Sequence, residues 1–477
     1  MKFIKRTFLV LLSLLVLLVI TAAVIIWMDN LSTNYLSIDK DDTSTRNTYL
    51  LTNVHVIPMH EDTVLANKMV LIKDGIIAEV ADHIEAPGVE VLDGLQKYLA
   101  PGLIDMHVHV WDEYELGVYL ANGVTAIRNV WGMPMHLRMK DAINKEEMYA
   151  PAFFTTGPKL TGREFIGDDN LNLSNPEEAA AKVASYKERG YDFIKTYYGL
   201  EPDLFDAIIT QAEKSDMDIV AHPSQKVPFS YHTNPQIKSI EHAEEITQTA
   251  LQFDLDTQKL QLVIDTIAAA SHLSYCPTMV VFNNIYQMLM HDDMLASGDL
   301  LYINPLIRKV DSENQFNRWS NAKREDPQVV DRIKAQHDFH LLVVQKLHDA
   351  GVNVICGTDA GIGVTPPGSS IHKELAFYKE AGLSNYEVLQ TATVNAAKTH
   401  AIMHSLGTIE KGKVANLLLL ENNPLESLST LRNPSVVFIN GRKLDRKTLD
   451  GFNEKAANRE NLIASGFRYL ENLVVEK

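Results

Sequence analysis

Hydrophobic and polar positions divide the chain into distinct regimes. Thr7–Trp27 is an uncharged, apolar stretch preceded by Lys2, Lys5 and Arg6 and followed by Met28-Asp-Asn30. About 20 apolar residues span a bilayer as a helix, whereas the apolar region of a signal peptide is about 7–15 residues long. Basic residues ahead of such a segment hold that end in the cytoplasm. The pattern predicts that residues 1–30 are a cytoplasmic tip and an uncleaved transmembrane signal anchor, with the remainder of the chain extracytoplasmic. Thr21-Ala22-Ala23 could form a cleavage site, which leaves open a secreted or periplasmic product. Residues 31–47 are polar and rich in Ser, Thr and Asp, as suits a tether, and no cysteine lies near enough for lipidation.

Beyond the tether the period shortens. Residues 48–98 read as strands, with a turn at Lys73-Asp-Gly75, and 403–450 read likewise, with Asn440-Gly441 as a hairpin turn between Val437-Phe-Ile and Arg442-Lys-Leu. These segments flank residues 99–402 and are expected to pack together as a small β-sandwich. Within 99–402, apolar strand-like runs alternate with helix-like ones such as Asn175–Ala184, where Pro176 suits a first helical position. Eight runs qualify as strands: Leu103–Val110, Val124–Val130, Ala152–Gly157, Tyr191–Tyr198, Met217–His222, Ile237–His242, His272–Met279 and Val352–Asp359. Alternation of this kind implies parallel strands joined by crossovers, and eight units imply a (β/α)8 barrel, an α/β fold whose site gathers at the strand C-termini. A long connection, Val280–Asp326, separates the last two strands and offers Asn283, Asn284, Tyr286 and Trp319 as lid or wall residues, with local packing the plainer reading. Residues 451–477 are left as a C-terminal tail.

The polar exceptions within these runs carry the chemistry. His107 and His109 lie two apart, so in a strand both imidazoles face one space, about 7 Å apart along it, and imidazole is a favoured zinc ligand. Lys195, His222, His242 and Asp359 each sit at or near the C-terminal end of a later strand. A lysine buried in an apolar strand loses basicity and can react with carbon dioxide as the free amine; its carbamate would offer two oxygens to a metal. Arg128, at the end of the second strand, and Tyr197 and Tyr198, just past Lys195, are candidate substrate contacts, each with packing or pairing as the rival reading.

In this order the segments Pro101–His109, Phe193-Ile-Lys195, Val220-Ala-His222, Ser239-Ile-Glu-His242 and Gly357-Thr-Asp359 resemble the amidohydrolase superfamily, as do Pro367–Leu375 and Gly412–Leu417. The likeness runs from Leu51 to Arg442 and is nearest to the imidazolonepropionase-like and metal-dependent Xaa-Pro and Xaa-Arg dipeptidase branch. It implies two divalent metals, usually zinc, bridged by a carboxylated lysine and a water. His107, His109 and Asp359 would bind the first metal and His222 and His242 the second, with Lys195 bridging as its carbon dioxide-derived carbamate. Asp359 would also serve as general base and then acid. His372 and Glu374 match the family pattern, which makes His372 a candidate substrate contact on its loop, with a structural role for each as the competing reading. Asn129, Asn416 and Ser224 depart from it, and Ser224 weakens inference of substrate from the dipeptidases.

His337/His340 and His400/His404 have helical spacing but read as solvated helix faces. Cys276 and Cys356, the only cysteines, read as buried thiols, with a disulfide between neighbouring strands as the alternative. A net charge of −17 argues against nucleic acid and against a basic lipid-binding patch. The chain therefore reads as a membrane-anchored hydrolase of small molecules, compatible with a homo-oligomer, attacking an amide or peptide-like bond. A lactonase or cyclic imide/amide hydrolase with the same centre, and a membrane-tethered binding protein without catalysis, are the alternatives.

Overall fold

The computed structural model describes residues 2–39, 47–164 and 170–476. Part of the segment read as a tether, residues 40–46, lies outside them. A single helix, Lys2–Ser32, carries the apolar stretch, and its apolar side chains stand almost entirely outside the folded body. The chain then folds down rather than dangling: Leu36 is fully buried and Ser37 bridges to Met148. The first part of the tether segment is thus packed, because it contains Tyr35 and Leu36, whose side chains join the core.

The two flanking segments meet in one seven-stranded mixed sheet, because Leu417–Leu420 pairs antiparallel with Glu90–Pro101. Its two tight turns sit where the polar dipeptides are. Asp74 and Gly75 have φ of 50° and 77°, and Asn440 and Gly441 have 47° and 75°, the double positive φ of a two-residue hairpin. The turns touch: a Cβ on Gly441 would lie 2.9 Å from the Gly75 Cα. Tyr49 and Phe438 rings approach to 5.8 Å, although their strands stand three positions apart, about 14 Å across a flat sheet. The sheet therefore curls around a shared apolar cluster drawn from both segments.

Residues 99–402 contain the eight expected strands in two parallel sheets. Leu103–Val108, Val124–Asn129 and Ala152–Thr155 form one. Phe193–Thr196, Asp218–Ala221, Ile237–Glu241, Ser274–Cys276 and Asn353–Val354 lie in the other, with two short additions, Lys159–Thr161 and Asn170–Asn172. Parallel bridges Thr156↔Phe193 and Val108↔Ala360 join the sheets at both edges. Crossover helices begin and end where the chemistry dictates. Asn175 accepts from the Glu178 N–H at the start of Pro176–Arg189, and Gly190 closes it at φ 95°.

Two expectations change. The connection 280–326 is helical over Met279–Met290 and Glu313–Glu325, with Phe282 and Leu289 packed on Val329 and Ile333. Asn284 donates to Thr365 Oγ1 at 2.9 Å, Asn283 pairs with Gln287, and Tyr286 and Trp319 join the apolar cluster, so these four serve packing. Of the segment read as a tail, residues 451–476 are two helical turns and a helix, Leu462–Glu476, docked by buried polar side chains.

Candidate active site

His107, His109, Lys195, His222, His242 and Asp359 all line one cavity of about 740 Å³ at the C-terminal ends of the parallel strands. His107, His242 and Asp359 bring their ligand atoms within 4.8 Å of one another. Asp359 Oδ1 lies 2.7 Å from His109 Nε2 and 3.3 Å from His107 Nε2. The His242 ring stands 4.7 Å from the rings of both His107 and His222, which links the first histidine pair to the histidine at the end of the fifth strand. Lys195 faces the same space, 1% exposed, and its Nζ has no hydrogen-bond partner. Both His222 nitrogens and His109 Nδ1 lack a hydrogen bond as well, although Glu245 Oε1 stands 3.2 Å from His222 Nε2.

The backbone holds this arrangement against local preference. His242 and Asp359 have φ of 72° and 58°, and Thr278 has 48°; such positions cost about 1–3 kcal/mol each for a residue with a side chain. Hydrogen bonds offset that cost: His242 N donates to Cys276 O and Asp359 N to His107 O, both at 2.7 Å. Asp105 accepts from Thr358 Oγ1 at 2.7 Å and Thr358 N at 3.0 Å, pinning the turn that carries Asp359. Gly361 has φ 98°, and a Cβ there would collide with the His109 carbonyl oxygen.

Behind the cavity lies a fully buried anion. Glu241 accepts from Arg128 Nη2 at 2.8 Å, and its second oxygen bonds His107 Nδ1 at 2.6 Å. A proton on Nδ1 leaves His107 Nε2 as the lone-pair nitrogen facing the cavity. Arg128 donates further to Met106 O and Ser239 Oγ and meets His400 Nε2 at 2.9 Å, while His400 Nδ1 reaches Asp218. Arg128 is wholly enclosed and does not reach the cavity, which removes it as a substrate contact. Tyr197 and Tyr198 do line the cavity, each ring 4.3 Å from His222. His372 lies outside it, beside a separate surface depression with Arg432 and Glu426. Glu374 instead accepts the Met279 and Val280 N–H groups. His337, His340 and His400 are buried, not solvated, and only His404 is exposed.

Sequence reading missed Glu241, Lys159, Trp111, Trp131 and Tyr469, the last four of which line the cavity. Lys159 Nζ lies 4.9 Å from the Tyr197 ring centroid and 5.5 Å from that of Trp131.

Burial sets the protonation states. It pushes the Lys195 amine down to about 8 and depresses His109, His222 and His242, favouring neutral imidazoles with lone pairs to give. Burial would raise Asp359, but His107 and His109 outweigh it and hold the carboxyl well below its usual range. Arg128 and His107 do the same for Glu241. Neutral imidazoles, an unpartnered amine and an ionised carboxylate form a donor set suited to a divalent cation and unsuited to an empty apolar pocket. Asn129 and Ser224 stand aside from it: Asn129 accepts from Val110 N and donates to Thr155 Oγ1, and Ser224 N donates to His232 Nε2. Cys276 and Cys356 are free, buried thiols.

Comparison with known proteins agrees with this geometry. A dihydroorotase from Carboxydothermus hydrogenoformans is 48% identical over 406 residues, 78% of this chain and 88% of that protein. A shorter match, 58% identical over 40 residues, covers 8% of this chain and 10% of the N-acetylglucosamine-6-phosphate deacetylase of Lysinibacillus sphaericus. Among solved structures, bottromycin amidohydrolase superposes with a TM-score of 0.72 at 23% identity, over 90% of this chain and 96% of its own. A Xaa-Pro dipeptidase with bound methionine gives 0.65 at 22%, over 83% and 100%; both share the fold. The profile of the amidohydrolase family matches residues 98–444, which hold every cavity residue above except Tyr469, and the chain belongs to that family.

Proposed function

We propose that the protein is a metal-dependent hydrolase of amide or peptide-like C–N bonds, built on a (β/α)8 barrel with a small flanking β-sandwich and held to a membrane by its leading helix. The observation that carries this reading is the convergence of six donor side chains, several without other partners, on one cavity. His107, His109 and Asp359 would hold one divalent ion and His222 and His242 another, zinc being the cation this donor set suits best. Lys195, as its carbamate, would bridge them; its depressed basicity leaves a reactive fraction of free amine near neutral pH. Bound cations of this kind polarise a carbonyl and lower the pKa of water towards 7.

The protein's own groups do the rest. Asp359, ionised and aimed into the cavity, takes the proton from the attacking water and delivers it to the departing nitrogen. Tyr197 and Tyr198 shape the floor beside His222, and Lys159 offers a cation to an anionic group next to the scissile bond. The likeness to a dihydroorotase favours a second reading, a cyclic amide or imide as substrate. A panel of dipeptides, N-acyl amino acids, cyclic imides and lactones separates the two readings, with Asp359→Asn as the blank. The wild type should exceed that blank by at least ~10²-fold on the preferred class. Rates equal to the blank on every class would overturn the assignment.

Membrane attachment rests on the length, apolarity and exposure of Phe3–Ser32 and on the basic residues ahead of its apolar stretch Thr7–Trp27. That charge bias supports an orientation with the cavity on the extracytoplasmic side.

A further inference from the structure

The final helix, Leu462–Glu476, is amphipathic in the reverse of the usual sense. Its inward face is polar: Ser465, Arg468, Asn472 and Glu476 are buried. Ser465, Arg468 and Glu476 are locked in place by polar partners. Glu476 meets Arg189 at 2.6 Å and Tyr191 Oη at 3.0 Å, and Ser465 accepts from Asn304 at 2.8 Å. The outward face is apolar, with Ile463, Phe467, Leu470 and Val474 at helical spacing, Val474 being 83% and Ile463 59% exposed. A water-facing stripe of this kind marks a contact surface.

The leading helix tells what covers it. That helix packs on the final one, and Arg468 donates to Asp29 Oδ2 at 2.5 Å and Asn30 Oδ1 at 2.8 Å. Ala22, Ile25, Ile26 and Asp29 form its half-buried face, while Val24, Trp27 and Met28 stay exposed. Two helices that pack on each other therefore both present exposed apolar side chains. Tyr469, next to Arg468, lines the catalytic cavity, its ring 6.3 Å from Trp131, which lies 6.4 Å from His109. Leu306 and the half-exposed Val310 extend the same wall to the rim.

Resting on the proposed membrane anchor and hydrolase activity, we infer that the final helix lies in the bilayer surface beside the leading helix, so that the cavity opens where lipid meets water and takes an N-acylated amino acid. The amide lies at the histidines, the carboxylate faces Lys159, and the acyl chain follows the Trp131–Tyr469 wall into lipid. Water's oxygen adds to the acyl carbon, the C–N bond breaks, and a proton passes to the nitrogen, releasing a fatty acid and an amino acid.

The test uses the full chain in phosphatidylcholine vesicles, with a fluorophore on Val474→Cys, the native thiols being buried. Brominated phosphatidylcholine should quench the label and iodide should not. Quenching by iodide alone, in protein that floats with the vesicles, overturns the inference while leaving the anchor intact; protein that fails to float removes the anchor as well. A label shielded from both quenchers, with chain-to-chain crosslinking at Val474→Cys, would give the face to a second copy and also overturn it. For substrate class, N-palmitoyl amino acids in vesicles should turn over faster than N-acetyl ones. Ile463→Glu with Val474→Glu should cut only the long-chain rate, about tenfold. Equal losses on both substrates, or a preference for the acetyl compound, would contradict the assignment.

Discussion

Glu241 shows how much of the centre depends on a residue that never faces the cavity. It balances Arg128 and orients His107 from a fully enclosed position. Glu241→Gln would leave the guanidinium without its counter-charge, and breaking a buried pair in this way costs about 3–5 kcal/mol. It would also loosen the His107 tautomer, for which losses of about 10–100-fold in metal affinity are typical. Denaturant unfolding and metal titration check both; a variant within 1 kcal/mol of wild type and with unchanged affinity would contradict the role. The histidines were legible because strand alternation and position at a strand end are both written in the sequence. Glu241 was not, since one carboxylate in Ile237–Glu241 has no spacing to distinguish it from a solvent-facing one. Arg128 failed for a related reason: the strand period gives a side chain's face but not its depth, and this one turns back to Met106 O. Lys159 sits on a three-residue strand too short to leave a period.

At the level of elements, turns and crossover strands were the clearest features. The hairpin dipeptide Asn440-Gly441 is also a joint, because Gly441 adopts φ 75° and abuts Gly75. Gly441→Ala should destabilise the protein by about 1–3 kcal/mol, read from the unfolding midpoint, with little change in turnover because the turn lies in the flanking sheet. An unchanged midpoint would mean that the two turns do not bear on each other. The final helix was illegible for a physical reason: its polar residues point inward, so the usual rule that apolar positions mark the core assigns its faces backwards. The stretch 280–326 carries no helix start signal in the sequence, because neither Met279–Met290 nor Glu313–Glu325 has a capping side chain at its start, and tertiary packing on Val329 and Ile333 supplies what the caps do not.

The whole molecule carries a pH dependence in its buried histidines. His136 donates from Nε2 to Val110 O and accepts the Met133 N–H at Nδ1, which requires the neutral ring, and burial lowers its pKa to about 4. His232, His337 and His400 are likewise lowered to about 4, and His340 and His372 to about 3. The unfolded chain takes up these protons first, near 6.5. Their stabilisation is complete above that pH and is lost as pH falls towards 4, by up to about 1.4 kcal/mol per pH unit for each histidine. Stability measured from pH 7 to 4 should fall steeply, and His136→Gln should flatten the slope by about one proton. A flat profile would contradict neutral burial.

Convergence of the six donors on a pair of divalent ions is the central claim, and elemental analysis of the full-length protein tests it most directly. After purification with zinc and bicarbonate, about two divalent ions per chain are expected, falling by about one in His222→Ala. Chelation should abolish hydrolysis and restored zinc should recover it. A chain that binds no stoichiometric metal, and hydrolyses its substrate equally well after chelation, would contradict the account.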